Sequence, residues 1–257
     1  MTLLNWGAFA VAMALMVLFP LGLAAFFQRR FSLSWKMFFI AAGFYLLNLL
    51  IQIPFNFVLW PMLFGSMPWV LLAFITLTYG VCEETMRYLS FRVGRSMRDH
   101  RDANGALMAG VGHGGTEAIV FALQLAMAIV AAVFAPQFLR PGTHPAEILG
   151  AAAWSFVFQG LDRVIGITCH LGFATLIVLA YRRSWLFYPL AALVHWLIDF
   201  SAFGLQRLPG GQVWSELLFL GYAILALVLL RYVRTRHLAD PAPSLSTDDE
   251  KQASATA

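Results

Sequence analysis

The stretch LLNWGAFAVAMALMVLFPLGLAAFF, residues 3–27, carries no charged side chain over its 25 positions. A bilayer's hydrocarbon core is about 30 Å thick and a helix rises about 1.5 Å per residue, so roughly 20 apolar residues span it. This stretch is long enough to cross a membrane as one helix. It has neither a basic leading segment nor a small-residue cleavage site, and so reads as a retained helix and not as a removable leader.

The same pattern recurs along the chain. Mostly apolar runs predict further spanning helices at 35–60, 68–91, 104–134, 163–181, 186–204 and 213–231. Composition agrees: 60% of the 257 residues are apolar, 12% are charged, and mean hydropathy is +0.74. A soluble domain averages about 25% charged residues, so a water-soluble fold is excluded. The expectation is an all-α, polytopic membrane bundle of seven helices forming one domain over 1–237, in a bacterial inner membrane. Residues 135–147 read as a polar, proline-rich loop and 148–161 as a re-entrant or interfacial helix. Residues 238–257 are small and polar, and predict a disordered tail.

Lys and Arg set the orientation. Arg29, Arg30 and Lys36 follow the first span; Arg92, Arg95, Arg98 and Arg101 the third; Arg182 and Arg183 the fifth; Arg231, Arg234 and Arg236 the seventh. The other three loops carry only Arg140 and Arg207. With seven spans, every basic cluster falls on one side, which predicts an outer N-terminus and a cytoplasmic C-terminus. The net charge of +4 and pI near 9.3 are thus topology signals and give no reason to expect nucleic acid. Cys82 and Cys169 lie inside apolar runs and form neither a disulfide framework nor a metal pair.

Charged groups within a bilayer cost about 2.5–3.5 kcal/mol each on insertion scales, so those retained there point to function. Span three carries Glu83, Glu84 and Arg87; span four His113 and Glu117; span five Asp162, Arg163 and His170; span six His195 and Asp199. Spans one and seven are nearly free of charge. Counting from the cytoplasmic ends puts Glu84, His113, His170 and His195 all roughly 10–17 Å deep. Independent structural histidines would have no reason to agree in depth. Three pairs, Glu83 with Arg87, His113 with Glu117 and His195 with Asp199, are spaced i,i+4 on one helix face. Each carboxylate of the two imidazole pairs is placed to hold its histidine's second nitrogen.

Three chemistries suit this set. A carboxylate can activate water while imidazoles orient it and stabilise the oxyanion. His113, His170 and His195 with Glu84 can ligate zinc and leave a water position open. A proton or ion relay is the third. The glycines of Gly110-Val-Gly-His-Gly-Gly115 remove bulk where span four passes the carboxylates; close helix packing is the expectation, passage of a peptide the alternative. Asn48, Gln52 and Asn56 form a row on span two with Pro54 among them, suited to interhelical bonding or to lining a substrate groove.

At these residues the chain resembles the YhfC family of intramembrane proteases, within the broader group of CAAX prenyl endopeptidases and PrsW-type proteases. The likeness runs through Tyr79-Gly-Val-Cys-Glu-Glu-Thr-Met-Arg-Tyr88, with its Glu-Glu-x-x-Arg element, and Gly110-Val-Gly-His-Gly-Gly-Thr-Glu-Ala118. It continues in Asp162-Arg163 with His170 and in His195-Trp-Leu-Ile-Asp199, covering about 79–200. The resemblance implies a glutamic-type intramembrane endopeptidase acting on a membrane-associated peptide. Glu83 or Glu84 would be the general base, His113 would share the water, and His195 and Asp199 would stabilise the oxyanion. Arg87, Glu117, His170, Asp162 and Arg163 would support them, with Asp162 standing where glutamate is expected. Metal-independent chemistry is preferred and zinc is the alternative. The seven-span scaffold subunit of γ-secretase belongs to the same broader group, so a silent scaffold or chaperone is the second reading and a proton-coupled transporter the third. That subunit lacks the full Glu-Glu-x-x-Arg element, so its retention here favours an enzyme.

Overall fold

The structure, a computed structural model, describes residues 1–139 and 142–236. Seven long apolar helices lie among them: α1 (Leu3–Phe31), α2 (Trp35–Phe64), α3 (Pro68–Ser90), α4 (Ala103–Phe134), α5 (Ala153–Arg182), α6 (Phe187–Gln206) and α7 (Gly211–Arg236). The chain is therefore an all-α, multi-pass membrane protein. The tail expected to be disordered, Arg140 and His237 lie outside the described residues.

Local sequence explains the helix ends and irregularities. Thr2, Ser34 and Asp102 cap α1, α2 and α4, each accepting a backbone N–H from the first turn. A π-helical turn at Ala14–Leu18 precedes Pro20, and another at Phe55–Leu59 follows Pro54. Proline supplies no backbone N–H, and a wide turn is one way a helix absorbs the disruption. One expectation is corrected: 148–161 is no re-entrant helix. A short helix at Pro145–Leu149 ends at Gly150, and the fifth span already starts at Ala153. Polar Ser155, Gln159, Asp162 and Arg163 masked its true length in the sequence.

Helix α5 is the axis of the bundle, contacting α1, α3, α4, α6 and α7. Within its most apolar stretch 72% of residues are buried, against 11–39% in the other spans. The outer faces of the other helices leave Phe39, Leu50, Met62, Met127 and Leu225 exposed, a surface suited to lipid and not to water. Phe27, Met37, Phe38, Phe91, Met97, Leu107, Met108 and Ile177 form the main apolar core. It fills the half of the bundle that carries the basic clusters.

The glycine run of α4 is packing, as expected. A Cβ on Gly110 would lie 2.9 Å from the His170 carbonyl oxygen, and one on Gly114 would lie 2.5 Å from the His170 ring. Cβ atoms on Gly112 and Gly115 would meet the Phe38 carbonyl oxygen and Pro20, each at 2.7 Å. Four glycines thus bring α4 against α5, α2 and α1, and no room is left there for a peptide.

These distances make a stability prediction. Gly114→Val should cost about 1–3 kcal/mol through overpacking and displace His170, lowering the melting temperature in detergent. Gly43→Ala, on an open face with nothing within 4 Å, should leave it unchanged or raise it through helix propensity.

Candidate active site and metal centre

The residues expected at one depth do converge. The His170 ring centroid is 5.5 Å from that of His113 and 5.7 Å from that of His195. Glu83, Glu84, Arg87, His113, His170 and His195 are all buried.

A string of hydrogen bonds links four helices. Arg163 Nη1 donates to Glu117 Oε1 (2.9 Å), and His170 Nε2 lies 2.8 Å from Glu117 Oε2. Arg87 Nη2 lies 2.7 Å from His170 Nδ1, while Arg87 Nε donates to Glu84 Oε2 (3.0 Å). His195 Nδ1 completes the string at 2.9 Å from Glu84 Oε1. The proton positions follow from the partners. A guanidinium can only donate, so His170 Nδ1 accepts and Nε2–H donates to Glu117. A carboxylate accepts, so His195 donates from Nδ1 and its Nε2 keeps a lone pair unless a second proton is added.

The i,i+4 pairings are therefore largely replaced by contacts between helices. Arg87 bonds Glu84, three residues away, and not Glu83. Glu117 bonds His170 and Arg163 and not His113, which faces Glu83 instead. Only His195 and Asp199 stay together, with Nε2 3.5 Å from Oδ2, while the other ring nitrogen, Nδ1, is held by Glu84. Side chains four apart share a face, yet in a crowded bundle the facing helix offers closer partners. Asp162 lines the cavity with Oδ1 unpartnered, apart from the string that its neighbour Arg163 joins.

The two adjacent glutamates differ sharply. Both Glu84 oxygens are occupied by Arg87 and His195. Glu83 accepts from Gln52 Nε2 at Oε1 (3.3 Å), and its Oε2 faces His113 Nε2 at 3.4 Å and His195 Nε2 at 3.9 Å. A cavity of about 580 Å³ reaches Glu83, Glu117, His170, His195 and Asp199, but not Glu84 or Arg87. Its other walls include Gln52 and Asn56 of α2, Gln124 of α4 and Gln206 of α6, so it extends away from the apolar core toward the opposite end of the bundle.

A metal ion fits one part of this arrangement. His195 Nε2 lies 3.9 Å from Glu83 Oε2 and 3.5 Å from Asp199 Oδ2, and His113 Nε2 lies 3.4 Å from the same Glu83 oxygen. Lone pairs so close need a proton or a cation. A glutamate and two imidazoles form a donor set suited to zinc with a water position left open; His113 turns Nε2 toward Glu83, while its Nδ1 is buried without a partner. Among the described residues, Glu83, His113 and His170 are the trio whose donor atoms all lie within 4.8 Å of one another, but both His170 nitrogens are engaged. Of the sequence-derived zinc set, His113 and His195 each turn a nitrogen toward Glu83, whereas Glu84 and His170 are committed to the string.

Some participants were not anticipated. Phe173 stacks on the His195 ring with centroids 4.4 Å apart and planes at 13°; its spacing three residues after His170 was the available signal. Glu216 lines the cavity from α7, a span expected to contribute almost no charge.

The fold and cluster define a polytopic membrane protein with a buried glutamate–histidine centre at the floor of an intramembrane cavity. A family model described as YhfC intramembrane metalloprotease matches residues 15–209, and the chain belongs to this family. It is also 26% identical over 230 residues to the uncharacterized membrane protein YhfC of Bacillus subtilis (strain 168), spanning 77% of this chain and 84% of that protein. No solved structure matches.

Arg87 offers a direct check on the string. Arg87→Met should strand the Glu84 charge and the His170 acceptor, costing about 3–5 kcal/mol. Thermal unfolding should show most of that loss recovered in the Arg87→Met/Glu84→Met double variant, because no buried charge is then left uncompensated there.

Proposed function

We propose that this protein is an intramembrane metallo-endopeptidase that cleaves a membrane-embedded or membrane-associated peptide. The observation that carries this reading is the asymmetry of the adjacent glutamates: Glu83 faces the cavity and two imidazole nitrogens, whereas Glu84 is bound on both oxygens. The family description supports the zinc alternative over the metal-independent preference.

Glu83, His113 and His195 are the groups that would hold zinc. A zinc ion there would lower the pKa of bound water and polarise the peptide carbonyl. Glu84 accepts from His195 Nδ1 and so turns Nε2 toward the cavity. Phe173 fixes the plane of the same ring by stacking. Arg87 holds Glu84 and His170, and Glu117 with Arg163 anchors His170 from the other side. Asp199 lines the cavity beside His195 Nε2, placed to take the proton of the attacking water at Oδ2 and return it to the leaving amine. Gln52 orients Glu83 through its Oε1.

The basic clusters support an outer N-terminus and a cytoplasmic C-terminus. In that orientation the cavity rises from the catalytic level toward the outer half of the bilayer. Charged groups held so deep support chemistry over assembly alone, and no transport path through the packed cytoplasmic half is needed.

Cleavage and metal content test the assignment together. Purified protein in nanodiscs should contain about one zinc per chain, by elemental analysis. Glu83→Gln and His195→Ala should lose the zinc and the activity. Asp199→Asn should keep the zinc and lose about 10²–10⁴-fold in kcat. Membrane peptidomes of wild-type and Glu83→Gln cells should differ in the substrate's fragments. Identical peptidomes together with unaltered partner assembly would sink the protease reading, whereas altered assembly with identical peptidomes would favour the scaffold.

A further inference from the structure

Asn56 is only 5% exposed and lines the cavity from α2, yet neither Nδ2 nor Oδ1 makes a hydrogen bond. Its amide approaches the Tyr79 side chain without reaching bonding geometry. A buried amide left without partners costs stability, and one in the wall of a cavity gains both bonds when its side chain turns toward an occupant. Pro54 and the π-turn at Phe55–Leu59 reshape the helix at this point. Ile53 and Phe57, on either side of Asn56, also line the cavity while remaining half or more exposed. The cavity wall at Asn56 is thus bordered by apolar side chains suited to a lipid-borne occupant.

We propose that Asn56 holds the substrate's backbone, its Nδ2 donating to a peptide carbonyl and its Oδ1 accepting the N–H of the same residue. An asparagine amide carries both a donor and an acceptor, and an extended peptide presents one residue's N–H and C=O on the same side. The register is defined by α2. Gln52 bonds Glu83, and Asn56 lies one turn further, about 6 Å along the helix. At about 3.3 Å per extended residue, the clamped residue lies about two positions from the scissile bond. Recognition through the backbone selects for an unwound segment near the cut, whatever its side chains. Asn48, expected in the same row, is fully buried and does not line the cavity.

The inference rests on the protease reading, and its test separates the two. The probe is a synthetic Leu/Ala transmembrane peptide with a central Gly-Gly pair, Lys ends and a photo-reactive group. Cross-linking is measured in nanodiscs on the full chain in the Glu83→Gln background, with cleavage measured in the otherwise native protein. Asn56→Leu and Asn56→Ala should weaken cross-linking about tenfold and raise KM by a similar factor with kcat little changed. Asn56→Leu should leave the melting temperature unchanged or higher, because an unsatisfied polar group is removed. Unchanged affinity in both variants, affinity lost only where the melting temperature also falls, or no cross-link to the Asn56 protein would each overturn the proposal. A probe bound through Asn56 but never cut would leave the proposal standing and remove the protease reading. Cleavage with KM unchanged in both variants would do the reverse.

Discussion

The Arg87 guanidinium, fully buried on α3, organises the site by holding Glu84 on its own helix and His170 on α5. Through these two it reaches His195 on α6 and Glu117 on α4. Five donors in a fixed planar fork suit such a junction, which lysine's single ammonium could not reproduce. It also lies 5.8 Å from the Phe173 ring centroid, and Phe173 in turn stacks on His195. Removing water from so many charged groups is expensive, and the cost is met only because every member of the string has partners. The rotamers of the groups facing the cavity follow from this buried layer behind them.

Packing and chemistry occupy different halves of the bundle. Around Phe38, Phe91, Met97 and Met108 the helices close on an apolar core, and the α4 glycines remove the bulk that would hold α1, α2 and α5 apart. Beyond Glu83 the same helices surround a polar cavity. This division suits the proposed water-consuming chemistry inside a bilayer: the packed half would hold the geometry, while the open half would admit water and substrate. The orphaned Asn56 amide belongs to the open half.

Much of the architecture was legible in the sequence because its physical cause is local. Apolar runs long enough to cross hydrocarbon gave seven spans, and six both begin and end within a few residues of their expected bounds. The fifth failed at its start because Gln159, Asp162 and Arg163 interrupt the hydropathy; Asp162 and Arg163 line the polar cavity, while Gln159 is exposed and donates to the Ser155 carbonyl of its own helix. The common depth of Glu84, His113, His170 and His195 was also readable, since depth is a count of residues along a helix of constant rise. The Gly110–Gly115 run announced close packing for the same local reason.

What the sequence by itself determined, then, is the membrane class, the number of spans, the level of the site and the residue types that meet there. Only the tertiary structure decided who pairs with whom. Helical spacing placed Glu83 beside Arg87 and His113 beside Glu117, but the bundle gave Arg87 to Glu84, Glu117 to His170 and Glu83 to His113. It also separated two adjacent glutamates into one locked against Arg87 and one open to the cavity. The rotation of each helix about its axis is set by what packs against all its faces at once, and that information is spread over the whole chain and not contained in any one segment.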